Sequence, residues 1–125
     1  MSWQTILAIG SGGFLGAVLR AYLNGVIPKI SDFPLPTLVV NLLGSFLMGV
    51  LFAYFYYSTF FSIHIKSFLT TGFLGALTTY STFAFESFLL IEANHYWYAS
   101  IYTGLNLFGT ILMAAFGFKL IHYFH

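Results

Sequence analysis

Residues 67–92 read SFLTTGFLGALTTYSTFAFESFLLIE. Their interpretation decides the fold. As a helix rising about 1.5 Å per residue, the stretch can cross a hydrocarbon layer about 30 Å thick. Its centre does not suit a helix that faces lipid. Gly72 and Gly75 precede a run of hydroxyls, Thr78-Thr79-Tyr80-Ser81-Thr82. Irregular backbone and clustered polar groups persist at membrane depth only where protein buries them or a wet cavity receives them. The segment is therefore expected to form part of a pathway for something polar. A helix break is expected near Gly75 to Thr79. Such a break frees carbonyls that can bind a cation, and amide N–H groups that can bind an anion.

Composition extends this to the whole chain. Of 125 residues, 59% are hydrophobic and 6% are charged, against roughly 25% charged in a soluble domain. Four basic and three acidic residues cannot clothe a water-soluble surface. The length fits about four spans of ~20 residues each. The expected fold is an all-α integral membrane domain with spans near 3–23, 37–57, 67–91 and 97–122. Pro28, Pro34 and Pro36 all fall in the connection 24–36, where they cannot break a helix. Trp3, Tyr57, Tyr96, Trp97 and Tyr123 lie near span ends, where amphipathic rings favour the headgroup zone. A net charge of +1 gives no pointer to nucleic acid or to an acidic partner. The absence of cysteine excludes disulfides. No basic run precedes the first apolar stretch, so no removable signal peptide is expected. The pentapeptide GFLGA occurs at 13–17 and 72–76, but its flanks do not align, and it reflects biased composition.

With four spans, Lys66 and Lys119 fall on one side of the membrane, and Lys29 and Arg20 on the other. Such near-absence of Lys and Arg bias would let the chain insert both ways up. If the two orientations pair, the dimer axis lies in the membrane plane. The alternative is that so few charges carry no information and insertion is one-way.

Each span carries polar residues that need an explanation. In the first, Gly12, Gly16 and Arg20 share a face. The glycines fit close helix packing. Arg20 either attracts anions at a pore mouth or snorkels to the interface. In the second, Asn41, Gly44, Ser45 and Met48 share a face, and Asn41 either bridges helices or donates to a permeating anion. In the third, Tyr80 and Phe83 would stack on one face if helical, while Ser81 and Thr82 point elsewhere. Glu86 lies one turn beyond Thr82 and needs a partner, a proton or water. In the fourth, Tyr102, Asn106, Thr110 and Met113 make a polar stripe whose natural partners are Asn41 and Ser81–Thr82. His64, His95, His122 and His125 sit at turns or the tail without a metal-ligand pattern. No nucleophile, base and orienter occur together, so catalysis has no support.

The segments GGFLGAVLRAYL (12–23), TLVVNLLGSFLMG (37–49) and TGFLGALTTYSTFAFE (71–86) resemble the Fluc (CrcB) family of fluoride channels across nearly the whole length. The last is the most specific, because the family pattern is close to G-x-x-G-G-x-T-T-F-S-T-F. The resemblance implies an antiparallel homodimer with two separate fluoride pores. It also implies a structural sodium ion at the dimer centre, held by main-chain carbonyls that fall on Gly75 and Thr78 of both subunits. The pore asparagine falls on Asn41, the pore aromatics on Tyr80 and Phe83, and the hydroxyl track on Ser81 and Thr82, leading toward Glu86. The vestibule base falls on Arg20. Tyr80 stands where the pattern has its first Phe, Ala76 replaces its second Gly, and Ala84 replaces a common Ser. Tyr80 keeps an electropositive ring edge and adds a hydroxyl.

The implied activity is passive fluoride exit from the cytoplasm across a bacterial inner membrane, with fluoride and lipid as partners and no nucleic acid. The competing expectation is a small dual-topology, proton-coupled multidrug-type exporter. That class relies on a carboxylate in the first span, which this chain lacks.

Overall fold

A computed structural model describes the whole chain, Met1–His125. Apart from one isolated bridge between Ile30 and Phe33, the regular structure is helical. Four stretches are long and apolar enough to span a membrane: Trp3–Val26, Leu35–Tyr57, Ile63–Glu92 and Tyr96–Tyr123.

Local chemistry sets their ends. Helix α1 (Trp3–Val26) is capped by Ser2, whose Oγ accepts from the Thr5 amide at 3.2 Å. Helix α2 (Leu35–Tyr57) starts two residues before the expected Thr37. Pro36 sits in its first turn, where an N–H has no helical acceptor to lose. The third span begins at Ile63 instead of near 67, because Ser62 Oγ accepts from the Ile65 amide at 3.3 Å and starts the helix early. Its first part, α3 (63–77), is wound as a π-helix over Phe68–Leu74. Helical geometry stops at Leu77, Thr78 is extended (φ −85°, ψ 159°), and helix resumes as α4 (Ser81–Glu92). Asn94 makes the following turn in the left-handed region (φ 64°), which asparagine tolerates. Helix α5 (Tyr96–Tyr123) contains a second π-wound stretch, Leu105–Gly109.

The interruption redirects the third span. Helix α3 lies along α1, whereas α4 leaves α1 and packs on the first half of α5. The second half of α5 lies along α2. Both long contacts depend on missing side chains. A Cβ on Gly16 would overlap the Phe73 carbonyl, and one on Gly49 would overlap that of Ala114. Two small apolar cores result. Val40, Leu74 and Leu77 join α2 to α3, and Leu38, Phe83, Leu90, Ala99 and Tyr102 join α2, α4 and α5. Only 21 of 125 residues are buried within the chain. The apolar exterior that remains suits lipid or a partner copy, not water.

Candidate functional site

The interruption is held by one side chain. Asn41, buried on α2, meets Thr79 with both ends of its amide. Its Oδ1 accepts from the Thr79 amide at 2.9 Å, and its Nδ2 donates to the Thr79 carbonyl at 3.1 Å. The same Nδ2 donates to Asn106 Oδ1 at 2.8 Å, which ties α2 to α5. Asn106 Nδ2 donates in turn to the Tyr102 carbonyl at 2.9 Å. Asn106 lies in the π-wound part of α5, a winding that often marks functional positions. Thr79 Oγ1 accepts from the Thr82 amide at 3.2 Å and so caps the start of α4. Part of the backbone that no helix satisfies is thus satisfied by two buried asparagines and one threonine.

A groove of about 460 Å³ opens beside this network, between α2, the interruption and α5. Asn41, Ser45, Thr79, Phe83, Asn106 and Thr110 contribute to its wall, and Tyr80 stands at it. No lining residue is charged. Phe83 is buried between two rings, Tyr80 edge-on at 5.6 Å and Tyr102 at 5.7 Å. Tyr80 itself is 75% exposed.

Glu86 lies on α4 one turn past Phe83. The Tyr102 hydroxyl donates to its Oε1 at 2.9 Å. Tyr102 therefore touches Phe83 with its ring and Glu86 with its hydroxyl. Glu86 lines a second cavity of about 280 Å³ with Lys29, Asp32 and His95. His95 Nε2 pairs with Asp32 Oδ2 at 3.1 Å, joining the α1–α2 connection to the α4–α5 turn at this end of the molecule.

The structure thus brings Asn41, Tyr80, Phe83, Asn106 and Thr110 around one groove and places Glu86 and Tyr102 beyond it. It does not bring Ser81 or Thr82 to either cavity; Ser81 is exposed and Thr82 half-buried. Arg20 lines neither cavity, and its Nε donates to the Ala76 carbonyl at 2.9 Å, beside the interruption. Gly75 is exposed and Thr78 half-buried. Two features were not singled out from sequence. Thr79 is the centre of the network, and its only signal was membership of the hydroxyl run. Lys29, Asp32 and His95 gather through connections whose path no periodicity reports.

Fold and site together define a multi-pass, all-helical membrane protein with an uncharged groove whose largely apolar wall carries a few amide and hydroxyl groups, an architecture that suits a channel or transporter. Comparison with known proteins narrows the class. The family described as CrcB-like protein, camphor resistance (CrcB), matches residues 7–118, and the chain belongs to that family. It is 66% identical to the fluoride-specific ion channel FluC of Sulfurimonas denitrificans over 97% of this chain and 95% of the relative. Identity to the fluoride-specific ion channel FluC of Nautilia profundicola is 48%, covering 95% and 94% of the two chains. For the protein of the same name from Campylobacter fetus it is 44%, covering 97% and 96%.

Proposed function

We propose that this chain is a passive, fluoride-selective channel that lets fluoride leave the cytoplasm across a bacterial inner membrane and so lowers its toxicity. It is not an enzyme. The observation that carries this is an uncharged groove, whose largely apolar wall carries amide, hydroxyl and aromatic groups, in a chain 66% identical to a fluoride-specific ion channel. Fluoride is small and strongly hydrated. Moving an unpaired ion into a low-dielectric medium costs on the order of tens of kcal/mol. Hydrogen-bond donors and the positive rims of Phe83 and Tyr80 replace that hydration. A fixed positive charge in the groove would trap the ion; its lack favours passage. From the groove the ion passes Phe83 and Tyr102 toward Glu86 and the second cavity.

The functional unit is an antiparallel homodimer of oppositely inserted copies with two pores, and the third-span interruption lies at mid-membrane. The exposed, partly polar face carrying Gly75, Tyr80 and Ser81 supports a partner copy there. A structural sodium ion between the copies fits the same place. Thr79 gives its amide to Asn41, so the Gly75 carbonyl accepts no hydrogen bond within the chain, and neither does that of Thr78. Free carbonyls are suitable ligands for a hard cation. When bound, the ion would supply the charge that these dipoles otherwise lack.

The deciding experiment is efflux from liposomes containing the purified protein, read with ion-selective electrodes. Fast fluoride loss with negligible chloride loss is expected; equal rates would falsify selectivity. A reporter fused to the C-terminus should score on both sides of the membrane, and signal from one side alone rejects dual insertion.

A further inference from the structure

Beyond Phe83 and Tyr102, the second cavity forms a mouth of about 280 Å³ at one end of the molecule. Its charged wall comes from two places. The α1–α2 connection supplies Lys29 and Asp32, and α4 with the turn after it supplies Glu86 and His95. The connection is fastened down twice. Phe33 stands edge-on to Tyr98 at 5.8 Å and to Tyr102 at 5.6 Å. Asp32 Oδ2 meets His95 Nε2 at 3.1 Å, and the His95 ring stacks on Tyr98 at 5.9 Å. Tyr102 then reaches Glu86 with its hydroxyl and Phe83 with its ring. His95 is therefore fixed at the rim of the space into which the ion path leads.

The Asp32–His95 pair adds little to stability, because its side chains are 70% and 41% exposed and water screens such pairs. Its consequence lies in charge. The contact needs a hydrogen on Nε2, so the nitrogen that gains or loses a proton is Nδ1, which has no partner in the chain. Lys29 pairs with no carboxylate. With a neutral imidazole, the wall sets one basic group against two acidic ones. With a protonated one, it sets two against two. The remaining groups around His95 leave this balance alone. Glu92 is exposed on the last turn of α4 and lines neither cavity. The Tyr96 hydroxyl donates to Asn94 Oδ1 at 3.0 Å, and Tyr98 offers only its ring face. Protonation also turns the contact with Asp32 into an ion pair, which holds the imidazole at the rim. Both effects act in one direction: a less negative mouth admits an anion more readily.

We propose that His95 sets the electrostatic access of fluoride to this mouth, passing the ion faster when its imidazole is protonated, and that Asp32 is the positioning residue that keeps the imidazole at the rim. This rests on the fluoride-channel function above. Lys29 acts on the same balance without titrating alongside His95, and so provides a separate check on the role of charge.

Fluoride efflux from liposomes carrying the full-length protein tests it, with the same pH inside and out. Rates are taken at about pH 8 and about pH 5.5, either side of the range in which histidines as a class change charge. Protein-free liposomes at each pH give the leak carried by hydrogen fluoride, which is subtracted. Wild-type efflux should rise about threefold at the lower pH, the effect of one unit charge near the path weakened by water and salt. His95→Gln keeps a donor for Asp32 but carries no charge, so it should stay at the slow rate at both pH values. His95→Arg is charged throughout and should run at the fast rate at both. Each variant should unfold at the wild-type midpoint. Lys29→Gln should slow efflux at both pH values and keep the step between them. An opposite step in the wild type, an unaltered step in His95→Gln, or wild-type rates in Lys29→Gln overturns the proposal. A wild-type protein that passes no fluoride at either pH refutes the channel function itself. One that passes fluoride at equal rates refutes only the role of His95.

Discussion

Replacing Asn41 with leucine keeps the branching of the side chain, makes it somewhat larger, and deletes three hydrogen bonds together. The groups left behind are the Thr79 amide, the Thr79 carbonyl and Asn106 Oδ1. Interhelical hydrogen bonds in membrane proteins average about 0.6 kcal/mol and reach about 1.7 kcal/mol. Three average bonds give roughly 2 kcal/mol, and the ceiling is about 5 kcal/mol on the same scale. The upper half of that range is expected here, because Thr79 lies outside any helix and its backbone has no second partner in the chain. Reversible unfolding in mixed micelles with increasing dodecyl sulfate measures the loss. Asn106→Leu and the double variant complete a cycle. Each single change already removes the Asn41–Asn106 bond, so the double variant should cost less than the two singles combined, by about 0.5–1.5 kcal/mol. An Asn41→Leu protein within about 0.5 kcal/mol of wild type would show that the interruption is not held from α2, and strict additivity would show that the Asn41–Asn106 bond contributes nothing.

Phe83→Ile should almost abolish fluoride efflux while the protein still folds, since an aliphatic side chain fills space but offers no electropositive rim; efflux at the wild-type rate would remove the ring from the mechanism. Tyr80→Phe should remain active and as stable as wild type, because the Tyr80 hydroxyl has no partner in the chain and the ring is 75% exposed. An inactive Tyr80→Phe protein would make that hydroxyl part of the ion path. Gly49→Val should destabilise by about 3 kcal/mol, because its branched side chain meets the Ala114 carbonyl and forces α2 away from α5. Wild-type stability in the unfolding assay would show that the helices do not approach so closely.

The four spans were legible because each is a long apolar run closed by turn residues, and such runs have few folds open to them in lipid. The residues around the groove were partly legible for a related reason. Asn41, Asn106 and Thr110 are polar groups inside apolar helices, and polarity at depth requires a destination. Ser81 and Thr82 carried the same signal, yet they line neither cavity. Hydroxyl identity reports that a site is near, whereas backbone direction decides which hydroxyl enters it. Extended geometry at Thr78 turns the following residues away from the α-helical register that spacing assumes.

Sequence alone determined an all-helical, four-span membrane chain of the CrcB family, because lipid demands internally satisfied backbone and the motif around residues 71–86 is specific. Only the tertiary structure decided how the donors are shared. Asn41 spends its whole amide on Thr79 and Asn106, a distribution that depends on three elements meeting within 3.1 Å. Hydrogen bonds between distant residues have no period along a chain, so no pattern in the sequence could report which donors are already taken.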